Sequence, residues 1–301
     1  MQLRLPLLLL LLSWSVVTSA ELHIVVIEGL GGEVRYTDQF AEQVTAIATA
    51  AATMTSPDRV TLLRSDVATR DAVFGYFDEL NASLNEDDRI AVYLVGHGSY
   101  DDHQYKFNLS GPDLTGEDLQ ELLDANPAGT QLLVNTSSAS GALQEHMSDD
   151  RRTLILATKS GVERHATRFG GYFTAALSAG SADLDKNNIV TAAEAFQFAE
   201  RQVADYYERN GQLATEHPGM DGDNATRFGL ARLGANAPAS NDSQLRELFT
   251  RRDAINASIE DLRLRRDAMT ADEYQSELLK SMLELAVLED EIEQREARLQ
   301  E

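Results

Sequence analysis

Between residues 22 and 235, short apolar runs alternate with stretches whose apolar residues recur every three or four positions. The runs at 22–27, 60–63, 90–95, 131–134 and 153–157 are rich in valine, isoleucine and leucine and read as strands. The first ends at Gly29, Gly31 and Gly32, and residues 36–52 then place Phe40, Val44, Ile47 and Ala51 on one helical face. A second helix over 69–84 does the same with Val73, Phe74, Phe77 and Leu80. A shorter one around 119–123 starts near Thr115, with Glu117 and Asp118 in its first turn, where carboxylates suit the helix dipole. Near-continuous apolar strands separated by helices predict an α/β fold whose mostly parallel sheet is covered on both faces. Ligands on such sheets bind at the carboxyl ends of the strands, so the turns after strands three and four are the first places to search.

The pattern changes after the small-residue stretch 234–240. A linker over 236–242 leads to residues 243–301, which are charged and hold no glycine or proline. Leu245, Leu248, Ile255, Ile259 and Leu262 form one stripe; Tyr274, Leu278, Met282, Leu285, Leu288 and Ile292 form another. Thr270 and Glu273 have the spacing of a capping box between them. The expectation is an antiparallel helical hairpin, coiled-coil-like, that either packs on its own domain or docks a partner protein or a second copy.

The first twenty residues stand apart from the fold. Arg4, the apolar run 7–17 and the small residues Thr18, Ser19 and Ala20 read as a secretory signal peptide, with an uncleaved anchor as the alternative. The mature chain would start near Glu21 and be exported, to a periplasm or the exterior. No later segment is long and apolar enough to span a membrane. The chain has no cysteine, which excludes disulfides, thiolate catalysis and cysteine-bound zinc. A formal charge of −23 opposes binding to nucleic acid and suits cations instead.

Strand three runs into Gly96-His97-Gly98. A histidine there can act as acid or base near neutral pH, and flanking glycines allow close approach of a substrate to main-chain N–H groups. Strand four runs into Asn135-Thr136-Ser137-Ser138-Ala139-Ser140-Gly141. Small hydroxyl residues in such a turn can supply a nucleophile, cap a helix, or only keep the turn compact. The two turns together, His-Gly followed some forty residues later by a small residue, a nucleophile position, one residue and Ser-Gly, resemble the legumain-type peptidases, whose broader fold includes the caspases.

The resemblance covers about residues 22–180 and implies a caspase/legumain-like three-layer α/β/α domain over 21–235. It places His97 on the catalytic histidine, Gly98 on the oxyanion-hole glycine and Ser138 on the catalytic cysteine, with Ser140 and Gly141 following. The Gly29–Gly32 loop and Tyr36 match the first substrate-binding loop, with Thr37 where legumains carry a pocket arginine. Arg164 and Arg168, basic residues in an acidic chain, fall where this fold borders its substrate cleft. Serine is far less acidic than cysteine, so it needs a base in hydrogen-bond contact and an orienting group behind that base. Asp101 and Asp102 are the nearest carboxylates in sequence. The favoured expectation is a catalytically impaired pseudo-peptidase that binds a peptide or protein segment; the alternative is an endopeptidase using Ser138 and His97 as nucleophile and base.

Residues 183–194 fit the twelve-position EF-hand ligand pattern. Asp183, Asp185 and Asn187 take positions one, three and five; Ile189 offers a carbonyl, Thr191 a direct or water-mediated contact, and Glu194 both carboxylate oxygens. Asn188 replaces the usual glycine at position six and tolerates the left-handed conformation needed there. Flanking helices are expected over 169–179 and 192–207. The reading is a structural Ca2+ site, with an Asp/Asn-rich helix-capping turn as the alternative. No organic cofactor is expected. The acidic turn at Asp221, Asp223 and Asn224 is read as a solvated loop.

Overall fold

Valine and isoleucine alternate between two apolar layers along the first strand, β1 (Leu22–Glu28). Leu22, Ile24 and Val26 join one core, while Val25 and Ile27 join the other, as the two-residue period of a strand requires. A computed structural model describes residues 20–233, isolated positions between 248 and 266, and residues 269–300. After β1 the chain forms α1 (Val34–Ala51), β2 (Val60–Leu63), α2 (Arg70–Asn81) and β3 (Arg89–Val95). Three short strands follow, β4 (Gly98–Tyr100), β5 (Tyr105–Phe107) and β6 (Leu114–Thr115), and then α3 (Gly116–Asp124). Next come β7 (Thr130–Asn135), α4 (Gln144–Met147), β8 (Arg152–Leu156) and α5 (Phe169–Ala176). The domain closes with β9 (Ile189–Thr191), α6 (Ala192–Arg209), β10 (Gly219–Asp221) and β11 (Gly229–Arg232).

The main sheet has the order β10-β8-β7-β3-β1-β2. Strands β8, β7, β3, β1 and β2 are parallel, and β10 adds an antiparallel edge against Leu154–Leu156. One face packs α1, α5 and α6 through Phe40, Val44, Phe169 and Phe196; the other packs α2 and α3 through Val73, Phe77 and Leu119. The five expected strands and their mostly parallel pairing are present. The acidic turn expected to be a solvated loop is in part a strand, because Gly219–Asp221 supplies the edge of the sheet. The β4–β6 ribbon and the β9–β11 pair are two further small sheets that the hydrophobic pattern did not announce.

At the C-terminus, α7 (Ala271–Gln300) begins at the expected capping box: the Thr270 amide donates to Glu273 Oε2 (3.1 Å) and the Glu273 amide to Thr270 Oγ1 (3.3 Å). Leu288 and Ile292 are buried against Leu248 and Ile255, Arg251 pairs with Glu291 (3.6 Å), and Arg266 lies over the Tyr274 ring. Early residues thus meet late ones, an antiparallel arrangement. Met282 is exposed rather than part of the buried stripe. The leader over 1–19, the linker over 236–242 and much of the first hairpin helix lie outside the described residues. Among the described residues, no helix is long and apolar enough to cross a membrane.

Candidate functional site

Strands β3 and β7 are adjacent and parallel, with Leu94 opposite Asn135, so the turns that follow them emerge side by side. The backbone amide and hydroxyl of Thr136 both donate to the Leu94 carbonyl (3.0 Å each), which pins the second turn to the first. Gly98 sits against this junction. A Cβ there would lie 2.6 Å from the Ser138 carbonyl oxygen and closer still to Ser137 Oγ, so only glycine lets the two turns touch. The residue after Ser138, Ala139, has φ +57°, a strained conformation for a side chain with a Cβ and one that functional turns often hold.

Behind the turn lies a buried relay. Asn135 Nδ2 donates to the Tyr105 hydroxyl (2.8 Å), which is 2.6 Å from Ser137 Oγ; Ser137 Oγ in turn donates to the Ser138 carbonyl (3.2 Å). With the phenol oxygen already accepting, its proton points to Ser137. Burial pushes the Tyr105 hydroxyl up to about 12, against hydrogen bonds from Ser137 and Asn135, so it stays protonated at neutral pH. The hydrophobic pattern gave no sign of this relay, because Tyr105 and Asn135 are distant in sequence.

His97 is half-buried between the rings of Tyr36 (4.6 Å) and Phe40 (5.0 Å), both edge-on. Its Nε2 lies 3.2 Å from the Gly31 carbonyl. A carbonyl only accepts, so Nε2 carries a proton, and in the neutral ring Nδ1 is the nitrogen with the lone pair that a base requires. The orienting group is therefore a main-chain oxygen, not a carboxylate. Asp101 accepts from the amides of His103 and Gln104 and pairs with Lys106 (2.7 Å), while Asp102 pairs with Arg164 (2.7 Å).

Ser138 donates its hydroxyl proton to the His165 carbonyl at 2.8 Å and is 6% exposed. Among the described residues, no hydrogen bond joins it to His97. Thr37 is exposed on the first turn of α1; Gly31 packs so closely on it that a Cβ would fall 2.5 Å from its Oγ1. Beside it, Arg35 lies over the Tyr36 ring (4.4 Å) and pairs with Glu33 (3.0 Å).

Two residues expected to line a cleft do other work. Ser140 is fully buried, 3.3 Å from the Thr158 hydroxyl and accepting from the Thr158 amide (3.2 Å), so it anchors the turn and cannot meet a substrate. Gly141 has no room for a Cβ because it abuts the backbone of Lys159 and Ser160. The Arg168 guanidinium stacks on Tyr206 of α6 at 3.6 Å. Its amide, with that of Phe169, is accepted by Glu216, whose carboxyl burial pushes upward while those amides pull it down. Arg164 is exposed and held by Asp102.

In the acidic loop, carboxylate oxygens of Asp183, Asp185 and Glu194 gather within 4.8 Å of one another, a group that could hold a metal ion. Asp183 accepts the amides of Asn187 (3.2 Å) and Asn188 (2.9 Å). Glu194 accepts the Leu184 amide (2.9 Å) and the Thr191 amide and hydroxyl (2.9 and 2.8 Å), closing a capping box on α6. Among the described residues, neither Asp183 nor Glu194 pairs with an arginine or lysine. Burial pushes the Asp183 carboxyl above its ordinary range, and the charges of Asp185 and Glu194 act in the same direction. Asn188 has φ +64°, the left-handed turn expected at position six. Ile189 opens β9, which pairs with β11 and so braces the loop from outside. Asn187 accepts the Ile189 amide through Oδ1, and its Nδ2 is buried with no partner.

No protein-family model matches the chain, and no curated protein does. Among solved structures, the chain is similar to the crystal structure of protein GSU0716 from Geobacter sulfurreducens. The two are 15% identical, the match covers 72% of this chain and 97% of that one, and the TM-score is 0.43.

Proposed function

We propose that the α/β domain is a legumain/caspase-type peptidase domain whose nucleophile has been disarmed, leaving a cleft that binds a polypeptide segment without cutting it. The observation that carries this reading is the 2.8 Å hydrogen bond from Ser138 Oγ to the His165 carbonyl. A serine hydroxyl becomes a nucleophile only when a base takes its proton, and a carbonyl oxygen cannot. The fold side of the proposal draws support from His97 and Ser138 standing on the adjoining turns after β3 and β7, locked together through Gly98.

One observation favours the enzymatic rival, an endopeptidase with Ser138 as nucleophile. The Gly31 carbonyl holds the imidazole so that Nδ1 remains an available base, an orienting arrangement that needs no carboxylate. A quenched-fluorescent peptide library separates the two. The parent is expected to be silent, as is Ser138→Ala, while Ser138→Cys gains hydrolysis because a thiol ionises far more readily. Cleavage by the parent that vanishes in Ser138→Ala would overturn the binding-only reading.

Three further assignments accompany this proposal. The acidic loop binds Ca2+ as a structural ion: its donors are all oxygens, as a hard cation prefers, and its backbone already has the left-handed turn at Asn188. The C-terminal hairpin recruits a partner protein or a second copy, a role favoured by the exposed Leu279, Leu283 and Val287 on α7. Export is supported by the apolar leader with its small-residue end at Thr18, Ser19 and Ala20.

A further inference from the structure

A cavity of about 250 Å3 opens between the β4–β5 ribbon, the start of α3 and the helical turn that follows Ser138. Its apolar surface comes from Tyr100, Tyr105, Ala142 and Leu143. The Tyr105 hydroxyl is spent on Ser137, so that ring offers the cavity its carbon surface only one residue from Ser138. The Tyr100 ring is held from behind by Gly161, where a Cβ would collide with it.

The side chains of His103, Gln104, Glu117, Gln120 and His146 all reach the cavity, and among the described residues none of them makes a hydrogen bond or ion pair. Three carboxylates nearby are engaged: Asp101 with Lys106, Asp102 with Arg164, and Asp118 with Arg70. One carboxylate and two amides are thus left uncommitted around a hollow walled in part by aromatic rings.

We propose that this cavity receives a cationic side chain, an arginine or lysine of the polypeptide lying across the strand ends. The inference rests on the polypeptide-binding reading above and names a side chain that such a ligand carries. Tyrosine faces attract a cation through their quadrupole, Glu117 supplies the opposing charge, and Gln104 and Gln120 supply acceptor oxygens. No lysine or arginine lines the cavity, which disfavours an anion. A metal ion fits less well, since the three-carboxylate group of the acidic loop is the one place among the described residues where potential ligand atoms gather within 4.8 Å. The net charge of −23 raises the local concentration of any cationic ligand.

The test is calorimetric binding of three blocked tripeptides, acetyl-Ala-Arg-Ala-amide and its glutamine and glutamate analogues, to the full chain. The arginine peptide is expected to bind about tenfold more tightly than the glutamine one, the scale of one desolvated cation–aromatic contact with a carboxylate partner. Glu117→Gln and His146→Lys, both at exposed positions where folding is not at stake, should each erase that preference and leave the glutamine peptide unchanged. Equal affinity of the arginine and glutamine peptides for the parent overturns the cationic pocket while leaving the polypeptide cleft standing. So does an arginine preference that survives both variants. No binding of any of the three overturns both.

Discussion

Replacing Asp118 by alanine removes three interactions at once, and their geometry sets the expected loss. One carboxylate oxygen accepts the Thr115 amide (2.9 Å) and Arg70 Nε (2.9 Å); the other accepts Arg70 Nη2 (2.6 Å). The first bond is half of the capping box that starts α3, the helix bearing Glu117 and Gln120. Stranding that amide and losing the cap amounts to about 1–2 kcal/mol. The contact with Arg70 adds less than a buried pair would, because the Arg70 side chain is 39% exposed and water screens it. A total near 2 kcal/mol corresponds to a fall in Tm of about 4–8 °C for a domain of this size.

The pH dependence gives the argument a second edge. Burial pushes the Asp118 carboxyl upward, but the hydrogen bonds from Arg70 and Thr115 and the Arg70 charge outweigh it, so the net shift is downward. A group depressed in the folded state contributes stability that is complete above its unfolded value of roughly 3.9 and is lost as pH falls through the folded value. Urea unfolding of parent and Asp118→Ala should therefore show the full gap at about pH 7 and a narrower one at about pH 3. A gap of the same size at both pH values would refute the electrostatic part. No gap at about pH 7 would refute the cap as well.

Two more outcomes follow from the site. Calcium at a hundredfold excess over its Kd should stabilise the chain by about 2.7 kcal/mol, and Glu194→Gln, which keeps the capping box on α6, should abolish the rise in Tm; an unmoved melting curve would remove the ion from the account. Tyr105→Phe leaves Asn135 Nδ2 and Ser137 Oγ without their shared partner and should cost about 1–3 kcal/mol in chemical denaturation. Unchanged stability there would mean the relay contributes nothing to holding the Ser138 turn.

Hydrophobic periodicity along this chain was enough for the α/β class, the five core strands and the positions of the two turns, because each is a local pattern repeated over enough residues to be read. The acidic loop was legible for the same reason, its donors spaced along one short stretch that includes Asn188 in its left-handed turn. The capping box at Thr270 was legible in the same way, from residues three apart; those at Thr115 and Thr191 came only with the structure. The β4–β6 ribbon and the β10 edge strand escaped because strands of two or three residues carry no period, and only their neighbours make them strands.

The chemistry of the site was decided at a longer range. Sequence placed His97 and Ser138 at the ends of neighbouring strands. It could not say that Ser138 turns its proton to His165, that a glycine carbonyl rather than Asp101 or Asp102 orients His97, or that Ser140 is sealed inside. Those outcomes depend on loops brought together from residues 31, 97, 138 and 165, and a hydroxyl bonds to the acceptor that folding sets within reach. Local spacing thus determined which groups are available, and tertiary packing decided which of them meet.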